Sequence, residues 1–184
     1  MINGVMMKQL NRPVWIRIAM VCFSFAVLFG CGYTFAPQGE YVDKRITNVY
    51  VQFFDNKTSQ AELENYVRTA FIDQFILSGR FKIAQNAESA DAIIKGSILN
   101  ISTSPLSYRA NTLVAEERAT MILEVDFREK ESGKTIWSSK NIAGQVDYKM
   151  EDNINMFSAT RKNAFIKLSN DTAEKAFNLM MSGF

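Results

Sequence analysis

Residues 119–128 read Ala119-Thr120-Met121-Ile122-Leu123-Glu124-Val125-Asp126-Phe127-Arg128. Ala119, Met121, Leu123, Val125 and Phe127 alternate with Thr120, Ile122, Glu124, Asp126 and Arg128. A period of two marks a strand with one buried and one polar face, Ile122 being an isolated apolar residue on the polar side. Downstream, Glu131-Ser132-Gly133-Lys134 makes a hairpin turn, and Thr135 to Tyr148 returns with Trp137 packed inward or at an edge. A sheet buried on one side needs a partner layer, and the sequence supplies two amphipathic stretches for it.

The first lies upstream. Asn48 to Phe54 (NVYVQFF) is β-branched and aromatic and closes on Asp55-Asn56, so it reads as a strand. Ser59-Gln60-Ala61-Glu62 has the form of a capping box. Leu63, Val67, Ala70, Phe71 and Phe75 follow at helical spacing with Tyr66 beside them, and Gly79 supplies the left-handed stop. Arg80 to Ala84 is a short strand and Ala92 to Ile101 a longer one, in which Gly96 marks a bulge or a close backbone approach. Pro105 is expected to end that run, leaving Ser102 to Asn111 as a polar loop with Tyr108 and Arg109 near its tip. The second helix opens at Asn155 or Ser158 and carries Ala164, Phe165, Leu168, Thr172, Ala173, Ala176, Phe177 and Met180 on one face. The predicted fold is α+β: a two-layer sandwich with both helices on one face of a mixed sheet of about four to five strands. The final Phe184 is expected to pack, since there are too few strands for a membrane barrel that ends in an aromatic residue.

The amino-terminal end adds a destination. Lys8, Arg12 and Arg17 precede Ile18 to Phe29, which is uncharged, and Gly30-Cys31 follows. Basic residues, a short apolar core and a small residue make a secretory signal peptide over residues 1–30. The core is shorter than the ~20 residues of a membrane span. Leu28-Phe29-Gly30-Cys31 resembles the bacterial lipobox, whose cysteine is lipidated and becomes the first residue, although Phe29 is larger than usual. The competing reading is an uncleaved anchor with Cys31 as a bystander; export follows from both. Residues 31–44 form the lipidated tether and 45–184 the folded domain. Gly32, rather than an aspartate, follows the cysteine, which favours the outer membrane.

Charge and composition exclude several functions. Removing the leader takes three of the 21 basic residues, leaving 18 against 19 acidic, so bulk attraction for nucleic acid is absent. The chain has no histidine, and its two cysteines are Cys22, in the leader, and Cys31. Histidine-centred triads, zinc sites and thiol nucleophiles therefore lose their centres. No Ser-x-x-Lys follows Cys31, and phosphate-cradling or dinucleotide-binding glycine loops are missing. Carboxylate pairs at Glu116-Glu117 and Glu124-Asp126 fit solvated strand positions better than glycoside chemistry. A non-enzyme with no metal and no cofactor, apart from covalent lipid on Cys31, is expected.

Cys31-Gly32-Tyr33-Thr34-Phe35 resembles the C-G-Y-x-F opening of the LPS-assembly lipoprotein family, LptE. The similarity continues through Ile46 to Thr58, a strand running into F-x-N-x-T, then Leu63, Arg80-Phe81, Ala90 to Gly96 and Gly133-Lys134-Thr135-Ile136-Trp137. It implies a lipid-anchored α/β domain on the periplasmic face of the outer membrane. Such a domain plugs a large LptD-type β-barrel at 1:1, assists its assembly and takes part in lipopolysaccharide transport. Candidate contacts for lipopolysaccharide or the barrel are Arg109 and Arg118 around the first long loop, and Arg128, Lys130 and Lys134 around the hairpin tip, because phosphates favour charge-assisted contacts. The V-x-V-x-x-F-x-N start also resembles TolB-like and curli-export (CsgG-like) domains, which makes a subunit of an export assembly the main alternative. An envelope hydrolase is a third reading.

Overall fold

A computed structural model describes residues 41–110 and 113–184. The signal peptide, Cys31 and most of the tether lie outside the described residues. The described residues contain six strands: β1 (Asn48–Val51), β2 (Asp55–Asn56), β3 (Lys82–Ile83), β4 (Ala92–Tyr108), β5 (Val114–Glu129) and β6 (Thr135–Lys149). Its helices are α1 (Leu63–Leu77) and α2 (Ile154–Ser182). The sheet order is β3-β1-β4-β5-β6, with β2 also paired to β4, and the sheet does not close. β1 pairs in parallel with β3 and with β4, and β2 in parallel with β4, whereas β4–β5 and β5–β6 are antiparallel. The mixed sheet and two-helix layer match the predicted architecture, and two of the strands are only two residues long.

The alternation in β5 sets the layers. Ala119, Met121, Leu123, Val125 and Phe127 are fully buried, while the residues between them are half-buried. The two helices touch each other as well as the sheet, so both lie on the odd-numbered face. Every residue of the stripe predicted for α1 is buried, as is every residue of the α2 stripe. Phe75 lies at the centre of an aromatic cluster, its ring 5.1 Å from those of Phe81 and Phe177 and 6.0 Å from Phe127.

Two glycines set how closely the parts approach. A methyl group on Gly96 would overlap the Glu124 carbonyl oxygen and come within 2.7 Å of Phe54 Cε1. This is the close approach expected at that position. Gly79 has φ +66° and stops α1 as predicted.

Several local expectations change. The first strand breaks after Val51, because Phe54 turns into the core to stack on Phe71 at 5.1 Å. The capping box does not form. Glu62 takes a left-handed conformation (φ 69°) without a side-chain cap, and its carboxylate accepts the Tyr66 hydroxyl at 2.6 Å. Asn56 organises this turn: its Oδ1 accepts from Thr58 N–H (3.0 Å) and hydroxyl (2.8 Å), and its Nδ2 donates to the Gln60 carbonyl and Glu64 carboxylate, both at 2.8 Å. α2 starts earlier than expected, capped by Asn153, whose Oδ1 accepts from Asn155 N–H at 2.9 Å and Met156 N–H at 3.3 Å.

The largest change is at Pro105, where β4 continues to Tyr108 instead of ending. Pro105 pairs with Glu117, and beyond Ile98 no described strand lies on the other side of β4. A proline on a free edge sacrifices no ladder hydrogen bond, so the strand survives it. Phe184 is 87% exposed rather than packed; its backbone carbonyl accepts the Trp137 indole N–H at 2.7 Å, fixing the end of α2 against β6.

Candidate ligand and partner surfaces

The five candidate cations fall into two groups at opposite ends of β5. Arg118 and Arg128 are ten positions apart on it, roughly 30 Å at a strand's rise per residue. They do not form one site.

At the end near the β4–β5 connection, both arginines have partners. Arg118 makes two hydrogen bonds to Asp147 across the β5–β6 ladder, Nε to Oδ1 at 2.7 Å and Nη2 to Oδ2 at 2.9 Å. This pair holds the Asp147 carboxyl below its ordinary range and pushes the guanidinium up. Arg109 bonds Asp152 at 2.6 Å and the Met150 carbonyl, tying the β4–β5 tip to the segment before α2. Around this tip Leu106, Tyr108, Leu113, Ile154 and Met156 are exposed.

At the other end, Lys130 Nζ donates to the Glu88 carbonyl, and its backbone N–H donates to the Asp91 carbonyl at 2.9 Å. Lys134 borders a cavity of about 300 Å³ shared with Tyr41, Asp43, Arg45 and Glu129. Arg128 lies on the outer sheet face, with Nη2 3.2 Å from Asp126 Oδ2. Its Nε is buried and has no hydrogen-bond partner among the described residues. A desolvated donor of this kind is costly unless a partner supplies an acceptor.

The chain enters the domain at this same end. Arg80 Nη2 donates to the carbonyls of Val42 and Asp43, the latter at 3.0 Å. The Asp91 carboxylate accepts the backbone N–H groups of Asn48 (2.7 Å) and Thr47 (3.0 Å), as well as the Thr47 hydroxyl and Asn48 amide. These bonds hold its pKa below the usual carboxylate value. Arg80 and Asp91 belong to the segments that carry the family resemblance, and sequence reasoning assigned them no role. Their partners lie far along the chain, so only the fold reveals that they clamp the domain's first strand.

Among the described residues, no layer covers the outer sheet face. Thr120, Ile122, Glu124, Asp126 and Arg128 line it along β5, with Lys95 and Ser97 beside them on β4. It is polar with single apolar residues. Among the described residues, no group of three or more His, Cys, Asp or Glu side chains is placed to hold a metal, and no helix is long and apolar enough to cross a membrane.

The family model for LptE, described as lipopolysaccharide-assembly, matches residues 46–180. No curated protein sequence matches the chain. Among solved structures, lipoprotein B from Nitrosomonas europaea is similar, with a TM-score of 0.51 at 15% identity over 83% of this chain and 92% of that one. The PelC dodecamer from Paraburkholderia phytofirmans gives a TM-score of 0.47 at 10% identity, covering 78% and 93%. Rare lipoprotein B from Shewanella oneidensis gives 0.42 at 16%, covering 74% and 92%. At these identities the likeness concerns the fold alone, and only the first score is high enough to bear on it. The family match spans the two-helix layer and all six strands, and on that ground the chain belongs to the LptE family of lipopolysaccharide-assembly lipoproteins.

Proposed function

We propose that this protein is an outer-membrane lipoprotein, anchored through acyl chains on Cys31, that seats inside an LptD-type β-barrel at 1:1, helps it assemble and takes part in lipopolysaccharide transport. The observation that carries the reading is the family match across residues 46–180. The single-layered sheet supports it: a polar face with isolated apolar residues suits a barrel lumen, which is itself polar. Several acyl chains at about 0.8 kcal/mol per buried methylene give durable anchoring. The reading assigns no reaction to the protein, and no cofactor beyond the lipid.

Within this reading Arg128, Lys130 and Lys134 are the contacts for lipopolysaccharide phosphate or the barrel, Arg128 through its unpartnered Nε. At the opposite end of β5, Arg109 and Arg118 contact a phosphate or the barrel only by exchanging the carboxylates they already hold.

The test is purification of the full-length protein from detergent-solubilised outer membranes. Recovery of one large barrel at equal stoichiometry, with a triacylated Cys31 by mass spectrometry, supports the reading. A symmetric ring of this chain alone refutes it and favours the export-assembly alternative. Replacing Arg128, Lys130 and Lys134 together with alanine should reduce lipopolysaccharide binding or barrel recovery; unchanged values for both remove these residues from the proposal.

A further inference from the structure

The distal half of β4 has backbone hydrogen-bonding groups with nothing beside them among the described residues. β1 and then β2 run parallel to β4 in one lane, pairing Ala92–Ile94 and Ser97–Ile98. The chain leaves that lane at Lys57, whose N–H donates to the Ile98 carbonyl at 3.0 Å, and turns toward α1. β4 then runs on to Tyr108 with β5 on one side and, among the described residues, an empty lane on the other.

The register shows which groups face the gap. The carbonyls of Ile94 and Ile98 point into the lane, where they accept from Gln52 and Lys57. Alternation along the strand therefore aims Lys95 and Ser97 at β5. A bulge between Ile98 and Asn100 shifts the phase by one. Beyond it, Asn100, Ser102 and Ser104 bond β5, while the N–H and C=O groups of Ile101 and Thr103 face the lane. Pro105 faces it too and brings no N–H, which sets the lane's end.

Proteins usually guard such an edge with charge. The opposite edge of the sheet, β6, carries Lys140, Asp147 and Lys149, and the Lys175 ammonium covers its Ala143 carbonyl at 2.9 Å. Between Leu99 and Tyr108 there is no charged residue. Thr103 and Pro105 pair with core-facing positions of β5 yet are exposed, so this corner of the inner layer is uncovered as well.

We infer that the lane beside Leu99–Pro105 receives an extended strand of the barrel polypeptide, held by main-chain hydrogen bonds to Ile101 and Thr103. The inference rests on the barrel-plug reading. Strand addition of this kind draws its affinity from the backbone and places little demand on charge. The lane is too short to serve as a stand-alone contact between two copies, which would fall well below the roughly 1,000 Å² of a stable interface. A partner that already meets the adjoining outer face, with Asn100, Ser102 and Thr120 at its border, can extend onto this edge at little further cost.

Amide hydrogen exchange on the full-length lipoprotein, alone and in its purified complex with the LptD-type barrel, tests the inference. In the free protein, Ile101 and Thr103 should exchange at least about 100-fold faster than Ser102 and Ser104. In the complex they should slow at least about tenfold. Thr103→Pro should weaken the complex at least about tenfold, while Thr103→Val, which keeps the N–H, should leave it intact. A stable complex in which Ile101 and Thr103 exchange as fast as in the free protein overturns the strand addition and leaves the plug reading standing. Protection that appears without the barrel and rises with protein concentration assigns the edge to a second copy and also overturns it. Absence of any barrel complex defeats the plug reading itself, and the strand addition with it.

Discussion

Gly144 of β6 touches Thr172 of α2: a methyl group on Gly144 would overlap the Thr172 hydroxyl and lie 3.0 Å from its Cβ. Thr172 is fully buried, and its hydroxyl donates to the Leu168 carbonyl at 2.6 Å. The glycine thus sets how closely the long helix rests on the sheet. Gly144→Ala should cost about 1–3 kcal/mol of stability by overpacking. Adding Thr172→Ala removes the obstructing hydroxyl, so the double variant should be more stable than the two separate losses imply. Denaturant titration of the four proteins measures the coupling.

Gly96 presents a harder obstacle. Its added methyl would meet a backbone oxygen, that of Glu124, rather than a side-chain tip. The β4–β5 ladder would have to part, and Phe54 lies within 2.7 Å as a second barrier. Gly96→Ala should therefore be more destabilising than Gly144→Ala, at about 3 kcal/mol or more. A comparison of denaturation midpoints decides the order.

Asp91 gives stability a pH dependence. Its folded pKa is lowered by hydrogen bonds from the Asn48 and Thr47 backbone amides. A depressed carboxyl stabilises the fold fully above its unfolded pKa, near 3.8, and the contribution is lost as pH falls through the folded value. Asp91→Ala should cost about 1–3 kcal/mol at neutral pH by leaving two backbone donors unpaired. The gap between wild type and variant should narrow as the pH is taken below the ordinary carboxyl range. A gap that stays constant with pH would place the cost in packing instead.

The Arg118–Asp147 pair is half-exposed, so its signature is electrostatic rather than structural. Arg118→Ala should return the Asp147 carboxyl to its ordinary pKa while barely moving the melting temperature. Carboxyl-detected NMR titration reads the first effect and a thermal melt the second.

What the sequence disclosed follows from how far each signal reaches. The period-two run of β5 and the stripes of α1 and α2 were legible because burial of one face writes itself into neighbouring residues. Pro105 misled because its cost depends on which side of the strand its nitrogen faces, and that is decided by whether another strand lies there. Ser59 and Glu62 had the right types for a capping box, but type does not reveal that Glu62 takes φ 69° and spends its carboxylate on Tyr66. The cations were identifiable as residues and not as a site. Arg118 meets Asp147 only through the β5–β6 register, and Arg109 meets Asp152 only because the β4–β5 tip folds back to the start of α2.

The sixteen residues of β5 run the whole way from the corner where Arg80 grips Val42 to the β4–β5 tip. At a strand's rise they measure about 50 Å, against about 30 Å for the hydrocarbon thickness of a bilayer. Under the lipid-anchored arrangement proposed above, a body held at one leaflet has a spar long enough to carry Tyr108 and Leu113 to the level of the opposite leaflet, with no membrane-crossing helix among the described residues.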